Sequence, residues 1–261
     1  MTGMLVGMSG LSTKLVRMVN RARHLLFPPA CLFCQTALDD HDGCCPACLH
    51  EIRIWPACTC LRCGTILPEA IAPGPCGHCL HHPPAQQQTH SLYQYHGPVR
   101  EAILNWKLAG KAAGARWLVD VAEPSVQQLI SPHDLLLPVP APLARMRVSG
   151  QHHAANLCAW LAAATGARME WRLLRRIGEQ PRQSSLSGLA RRTNLRKAFA
   201  LCDDYQPLVQ SLSPDTRVWI VDDIFTTGSS VHYAARAAIK AGRPVHVLTL
   251  ARTQHRSPTQ G

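Results

Sequence analysis

Arg217–Ser230 reads RVWIVDDIFTTGSS, and the fold turns on it. Val218–Val221 is a short unbroken apolar run, as in a strand buried on both faces of a parallel sheet. Two carboxylates, Asp222 and Asp223, follow it, then a loop, then Thr-Thr-Gly-Ser-Ser at the start of a helix. That helix is predicted over Val231–Ala241, with Gly242 as its stop. The same alternation recurs on both sides. Val245–Leu250 and Leu135–Val139 read as buried strands and Leu92–Tyr95 as a short one. Pro98 opens a helix to about Leu108, Trp117–Ile130 is helical with Pro124 as a break, and Ala154–Ala164 is helical with Gly166 as its stop. Strands alternating with helices predict an α/β domain, its mainly parallel sheet covered on both faces.

In such a sheet, ligands bind beyond the carboxyl ends of the strands, where Asp222 and Asp223 fall. Adjacent carboxylates suit a vicinal diol, because each oxygen accepts from a hydroxyl. Thr226, Thr227, Ser229 and Ser230 add hydroxyl donors, Gly228 lets the backbone turn closely around a ligand, and the helix start adds amide N–H groups. Acid for ribose followed by amides for phosphate is the logic of a ribose-5-phosphate site. The bland account is a capped helix after an acidic turn, and TTG alone would not outweigh it. The whole string in strand–loop–helix order does. No G-x-G-x-x-G follows a strand, and Gly110-Lys111 leads into Ala112 and not Ser or Thr, so neither a dinucleotide fingerprint nor a P-loop is present.

A different chemistry lies upstream. Ten of the twelve cysteines fall between Cys31 and Cys79, and eight form the C-x-x-C pairs Cys31/Cys34, Cys45/Cys48, Cys60/Cys63 and Cys76/Cys79. Four thiolates complete the tetrahedron that zinc accepts, so the pairs predict two structural zinc sites. Gly64 suits the tight turn of a metal knuckle. Sequential pairing gives two consecutive ribbons and interleaved pairing a cross-braced module; the sequential arrangement is preferred. Cys44, Cys58 and the histidines at 78, 81 and 82 read as spare thiols and solvated side chains, and Cys158 and Cys202 as core thiols.

The chain has 261 residues and a formal charge of +11, which two zincs (+4) and eight thiolates (−8) bring to +7. With 46% hydrophobic and 16% charged residues it is not a disordered chain. No apolar run reaches the ~18 residues of a membrane span. Near the N-terminus the apolar stretch precedes the positive charges, the reverse of a secretory signal. This predicts a cytoplasmic protein, whose reduced thiols bind metal. Residues 1–26 read as a basic amphipathic helix that docks on its neighbour, 27–82 as the zinc-ribbon module, 83–91 as a polar linker, 92–252 as the α/β domain and 253–261 as a disordered tail.

VWIVDDIFTTGSS resembles the phosphoribosyl-pyrophosphate (PRPP) motif of type I phosphoribosyltransferases, and with the four cysteine pairs the chain resembles the ComF/GntX family of competence and DNA-utilisation proteins. Other matching stretches are Tyr95-x-Gly97 with Lys107-x-x-Gly110, PVPAPLARMR at Pro138–Arg147, Gln183-x-x-Leu186, Arg191/Arg192, Asn194 and Ala198-Phe199. The resemblance implies a type I phosphoribosyltransferase-like sheet behind an N-terminal double zinc ribbon. It also implies PRPP bound with Mg²⁺ at Asp222, Asp223, Thr226, Thr227, Gly228, Ser229 and Ser230, and a role in handling imported single-stranded DNA, with DNA-uptake or recombination proteins as partners. One segment departs from the family, which carries Arg-Gly-aromatic-Asn-Gln where this chain reads Ser149-Gly150-Gln151-His152-His153. The pyrophosphate side loses a bidentate donor. Lys107, Arg145, Arg147 or a protonated His152 or His153 are the replacements. PRPP binding without turnover is therefore the preferred expectation, and an active phosphoribosyltransferase with an unidentified acceptor is the alternative. No catalytic residue is assigned.

Arg168–Lys197 carries nine basic residues against Glu170 and Glu179. Arg175, Arg176, Arg182, Arg191, Arg192 and Arg196 are expected in a flexible loop over the PRPP site or in a groove for a nucleic-acid backbone, where guanidinium pairs with phosphate. Trp171 and Phe199 flank the stretch; core packing is preferred for both over stacking on bases.

Overall fold

The computed structural model describes residues 29–38, 42–69, 74–143, 146–147, 150–177 and 198–254. The expected N-terminal helix lies outside the described residues, as do residues 255–261 of the tail and Arg145, Arg182, Arg191, Arg192 and Arg196. The chain divides into two compact units, Met1–Glu51 and Ile52–Gly261.

In the first unit an antiparallel bridge, Ala30 to Ala37, frames the Cys31–Cys34 turn, and helix α1 (Pro46–Glu51) carries Cys48. The second unit opens with the same device. A bridge from Thr59 to Ile66 frames Cys60–Cys63, and helix α2 (Gly77–His81) carries Cys79. The hydrogen bonds repeat too: Cys31 N to Thr36 O and Cys60 N to Thr65 O are both 2.8 Å. Gln35 (φ 65°) and Gly64 (φ 69°) hold the same left-handed position.

The α/β part runs β1 (Gln88–Gln94), α3 (Gly97–Ala109), α4 (Ala113–Val121), α5 (Glu123–Leu129), β2 (Leu135–Pro138), α6 (His153–Thr165), β3 (Arg168–Met169), β4 (Leu174–Arg176), β5 (Phe199–Leu201), α7 (Gln206–Ser211), β6 (Val218–Phe225), α8 (Ser229–Ala238) and β7 (Val245–Arg252). Five strands form a parallel sheet in the order β1-β7-β6-β2-β3, and β4 and β5 pair antiparallel in a sheet of their own. This is the type I phosphoribosyltransferase-like architecture the resemblance implied, preceded in the chain by two zinc sites of four cysteines each. The expected helices are present. Pro124 sits in the first turn of α5, so the expected break divides that stretch into α4 and α5, and Gly166 stops α6 in the left-handed conformation.

Three strands are longer than predicted, β7 by Ala251 and Arg252. β1 starts at Gln88, inside the stretch expected as linker. β6 continues through Asp222, Asp223 and Ile224 to Phe225, because β7 lies alongside to supply the ladder as far as Phe225–Arg252. Every residue of β7 and the first four of β6 are buried, as a central parallel strand requires. The core on the α8 face joins Leu135, Leu137, Val218, Ile220 and Val247 to Phe225, Val231 and Ala234. Phe199 is in that core, as expected. Trp171 is not: its side chain is 51% exposed just past the two-residue edge strand β3.

Candidate functional site

The four sulfurs of Cys31, Cys34, Cys45 and Cys48 lie within 4.8 Å of one another, and so do those of Cys60, Cys63, Cys76 and Cys79. The pairing is sequential. Cys34 Sγ is 3.6 Å from Cys45 Sγ, and Cys63 Sγ is 3.8 Å from Cys76 Sγ. Backbone amides point at the sulfurs: Cys45 N donates to Cys31 Sγ at 3.4 Å and Cys76 N to Cys60 Sγ at 3.1 Å. Burial opposes the Cys31 thiolate, but the amides of Cys34, Cys45 and Phe33 outweigh it and bring the thiol down to about 6. Cys60 is brought to about 6 the same way, by the amides of Cys63, Cys76 and Arg62. Cys44 goes the other way, pushed up to about 12 by burial and the neighbouring thiolates, so it stays a thiol outside the ligand set. Four sulfur donors with amide support, and no further ligand among the described residues, fit structural zinc. Elemental analysis of the purified chain is expected to find two zincs; a count of zero would return the thiols to disulfide or redox roles.

The second centre is at the carboxyl ends of β2 and β6. The strand order changes direction there, and such a switch point leaves a crevice for ligands. Val139 N donates to Val221 O at 2.8 Å, so the loop after β2 leaves the sheet beside Asp222. Asp222, Ile224 and Thr226–Val231 line a cup. Gly228 caps α8 with φ 73°, a left-handed conformation in which a Cβ would run into the Phe225 ring. Thr227 Oγ1 lies 3.0 Å from Ser229 Oγ and accepts from Ser229 N at 3.5 Å, and the first amides of α8 have no carbonyl partner within the helix, as at any helix start.

Successive side chains of a strand point to opposite faces. Asp222 lines the cup, whereas Asp223 reaches Lys107 Nζ of α3 at 2.8 Å. Asp222 Oδ1 also accepts from Asp223 N at 2.9 Å. Lys107 therefore joins the β6 carboxylates across the fold. Arg147 is exposed, and Arg175 is exposed on β4, while Arg176 lies 5.5 Å over the Phe199 ring.

A protonated His152 does not fit as a replacement for the missing arginine. Its ring caps α6, with Nδ1 facing Ala155 N at 3.1 Å and Nε2 facing Ala141 N at 3.3 Å. An imidazolium would set an N–H against each of these N–H groups. Burial, the largest influence, keeps His152 below the usual histidine range despite the nearby Asp223. His153 is buried edge-on against Trp106, with ring centroids 4.9 Å apart.

Paired four-cysteine zinc ribbons and a type I phosphoribosyltransferase-like sheet with a cup at its switch point define the class. Residues 22–80 match the double zinc ribbon domain family. The DNA utilization protein YhgH of Salmonella typhimurium is 31% identical over 236 residues, covering 88% of this chain and 99% of that protein. Competence protein F of Haemophilus influenzae is 28% identical over 229 residues, covering 85% and 96%. Among solved structures, the allosteric regulatory enzyme of purine biosynthesis aligns with a TM-score of 0.30 and 21% identity, over 51% of this chain and 25% of that one. The chain belongs to the ComF/GntX family of competence and DNA-utilisation proteins. Among the described residues, no helix is long and apolar enough to cross a membrane.

Proposed function

We propose that the protein binds PRPP with Mg²⁺ and serves in the cytoplasmic handling of imported single-stranded DNA, without turning PRPP over. The observation that carries this reading is the cup of Asp222 and Thr226–Ser230 at the switch point. The amides and hydroxyls of Thr226, Thr227, Gly228, Ser229 and Ser230 suit a 5′-phosphate, and Asp222 inside the cup suits the ribose diol, with Asp223 turning to it from Lys107. Lys107 brings the cation for the pyrophosphate side, exchanging part of its contact with Asp223 for phosphate oxygens. Arg145 and Arg147, which follow β2 in the chain, are proposed as its partners there. The capping contacts of His152 support binding over turnover, because they tie its ring to Ala141 N and Ala155 N and a leaving pyrophosphate needs fixed positive charge. The intact loop beside Lys107 favours the second reading, an active phosphoribosyltransferase, which would release pyrophosphate.

Calorimetry with PRPP and Mg²⁺ is expected to show binding by the wild type and at least tenfold weaker binding by Asp223→Ala. Equal absence of heat from both would sink the reading. Added nucleobases and oligonucleotides are expected to release no pyrophosphate; its steady release would establish the transferase instead.

For DNA, exposed Trp171 with the Arg172 guanidinium 4.6 Å from its ring centroid supports a stacking platform, and Arg175 lies near it in sequence on β4. Arg182, Arg191, Arg192 and Arg196, outside the described residues, are proposed to add phosphate contacts. Affinity for an oligonucleotide is expected to fall steeply with salt. The double variant Arg191→Ala/Arg192→Ala should lower that slope by roughly 1.4, as for two lost single-strand phosphate contacts. Unchanged slope and affinity would remove the groove assignment.

A further inference from the structure

Three side chains hold three successive backbone carbonyls of the second metal knuckle. Thr89 Oγ1 of β1 donates to Arg62 O at 2.8 Å, and Trp55 Nε1 donates to Gly64 O at 3.0 Å. Between them Arg252 Nη1, from the last residue of β7, donates to Cys63 O. The fit is close. A Cβ on Gly64 would lie 2.8 Å from Thr89 O and 2.9 Å from Arg252 Nη1. Arg252 is 6% exposed, unusual for a guanidinium. Its charge rests between two aromatic rings, 5.3 Å from the centroid of Trp55 and 4.0 Å from that of Phe225.

Phe225 connects this contact to the cup. It ends β6, and its ring fills the space that a side chain on Gly228 would need. One buried cation thus touches the carbonyl of a zinc ligand on one side and the ring beneath the phosphate loop on the other. A zinc with four thiolates carries a net charge of about −2, so the metal site also supplies the negative charge that a buried guanidinium requires.

We infer that Arg252 is a positioning residue for the phosphate loop, and that zinc held by Cys60, Cys63, Cys76 and Cys79 strengthens phosphate binding at Thr226–Ser230 through Arg252 and Phe225. Without the metal the knuckle loses both the fixed Cys63 carbonyl and the negative charge. Arg252 then no longer holds Phe225 against Gly228, and the loop spends less time in its binding conformation. This rests on the reading of the cup as a PRPP site.

The test uses the full zinc-loaded chain and PRPP with Mg²⁺. Arg252→Met, with two zincs retained, is expected to bind 10- to 100-fold more weakly in calorimetry. Cys79→Ser, with one zinc, should lose a similar factor. Adding Arg252→Met to Cys79→Ser should cost little more, since both act through one contact. Linkage requires the reciprocal effect. Bound PRPP should raise the affinity for one of the two zincs, read in equilibrium competition with a chromophoric chelator, in the wild type and not in Arg252→Met. Should Arg252→Met fail to fold, Phe225→Leu, which keeps Arg252 and its bond to Cys63, takes its place and should also weaken binding with two zincs retained. Wild-type binding with affinity within twofold in Arg252→Met, or in Phe225→Leu where that stands in, overturns the coupling while leaving the PRPP site intact. Fully additive losses in the double variant overturn it too. No binding by the wild type removes the site reading and the coupling together.

Discussion

Gly228→Ala is expected to weaken PRPP binding by roughly 30-fold or more while leaving both zincs in place. Two costs combine. The left-handed conformation at φ 73° costs a residue with a Cβ about 1–2 kcal/mol. The new methyl would also run into the Phe225 ring, which is packed in the core, and such overpacking costs about 1–3 kcal/mol. If the loop relaxes to relieve both, the loss falls on ligand binding, roughly 30- to several-thousand-fold. Calorimetry against the wild type, with elemental analysis for zinc, reads the result. Binding within threefold of the wild type would show that the loop does not need this turn.

The largest expected loss of stability is at Asp134, far from that chemistry at the opening of β2. Its carboxylate is 2% exposed and gathers five donors. Arg217 Nη2 lies at 2.7 Å, Arg217 Nε at 3.1 Å and Arg217 N at 3.2 Å. Trp219 Nε1 and Ser131 N lie at 2.9 Å. The group ties the start of β2 to the start of β6 and so sets the register that brings Val139 beside Val221. Asp134→Ala leaves a partly exposed guanidinium and a buried indole N–H without their acceptor, and such a break costs about 3 kcal/mol, the low end for a buried pair. For a chain of this size the midpoint should fall by roughly 6–12 °C in thermal denaturation. Burial opposes the charge on Asp134, but the Arg217, Ser131 and Trp219 hydrogen bonds outweigh it and hold the carboxyl below the usual range. The folded value therefore lies below the unfolded one. The stabilisation is complete above about pH 4 and is lost as pH falls through the folded value. The variant should lack that part of the acid dependence. A midpoint within 2 °C of the wild type would contradict the assigned role.

The parts legible in the sequence were those specified by neighbours in the chain. Val218–Val221 is apolar without a break because both faces of its strand are covered. Gly166 and Gly242 stop helices by adopting a conformation that other residues avoid. The C-x-x-C pairs announce their sites because two thiolates at that spacing turn onto one ion. What stayed hidden depends on residues far apart. β6 extends to Phe225 only because β7 runs beside it. Asp223 and Lys107 carry no local sign of their ion pair, and neither the capping role of His152 nor the Asp134 cluster has one. Trp171, expected in the core, is exposed because Leu173 and Leu174, and not the tryptophan, turn inward beyond a short edge strand.

The most direct measurement is a crystal structure of the zinc-loaded protein grown with PRPP and Mg²⁺. The predicted result places the 5′-phosphate on the amides and hydroxyls of Thr226–Ser230, the ribose diol at Asp222 and Asp223, and Lys107 on the pyrophosphate side. A structure with PRPP held elsewhere, or with Thr226–Ser230 free of phosphate at saturating ligand, would contradict the account.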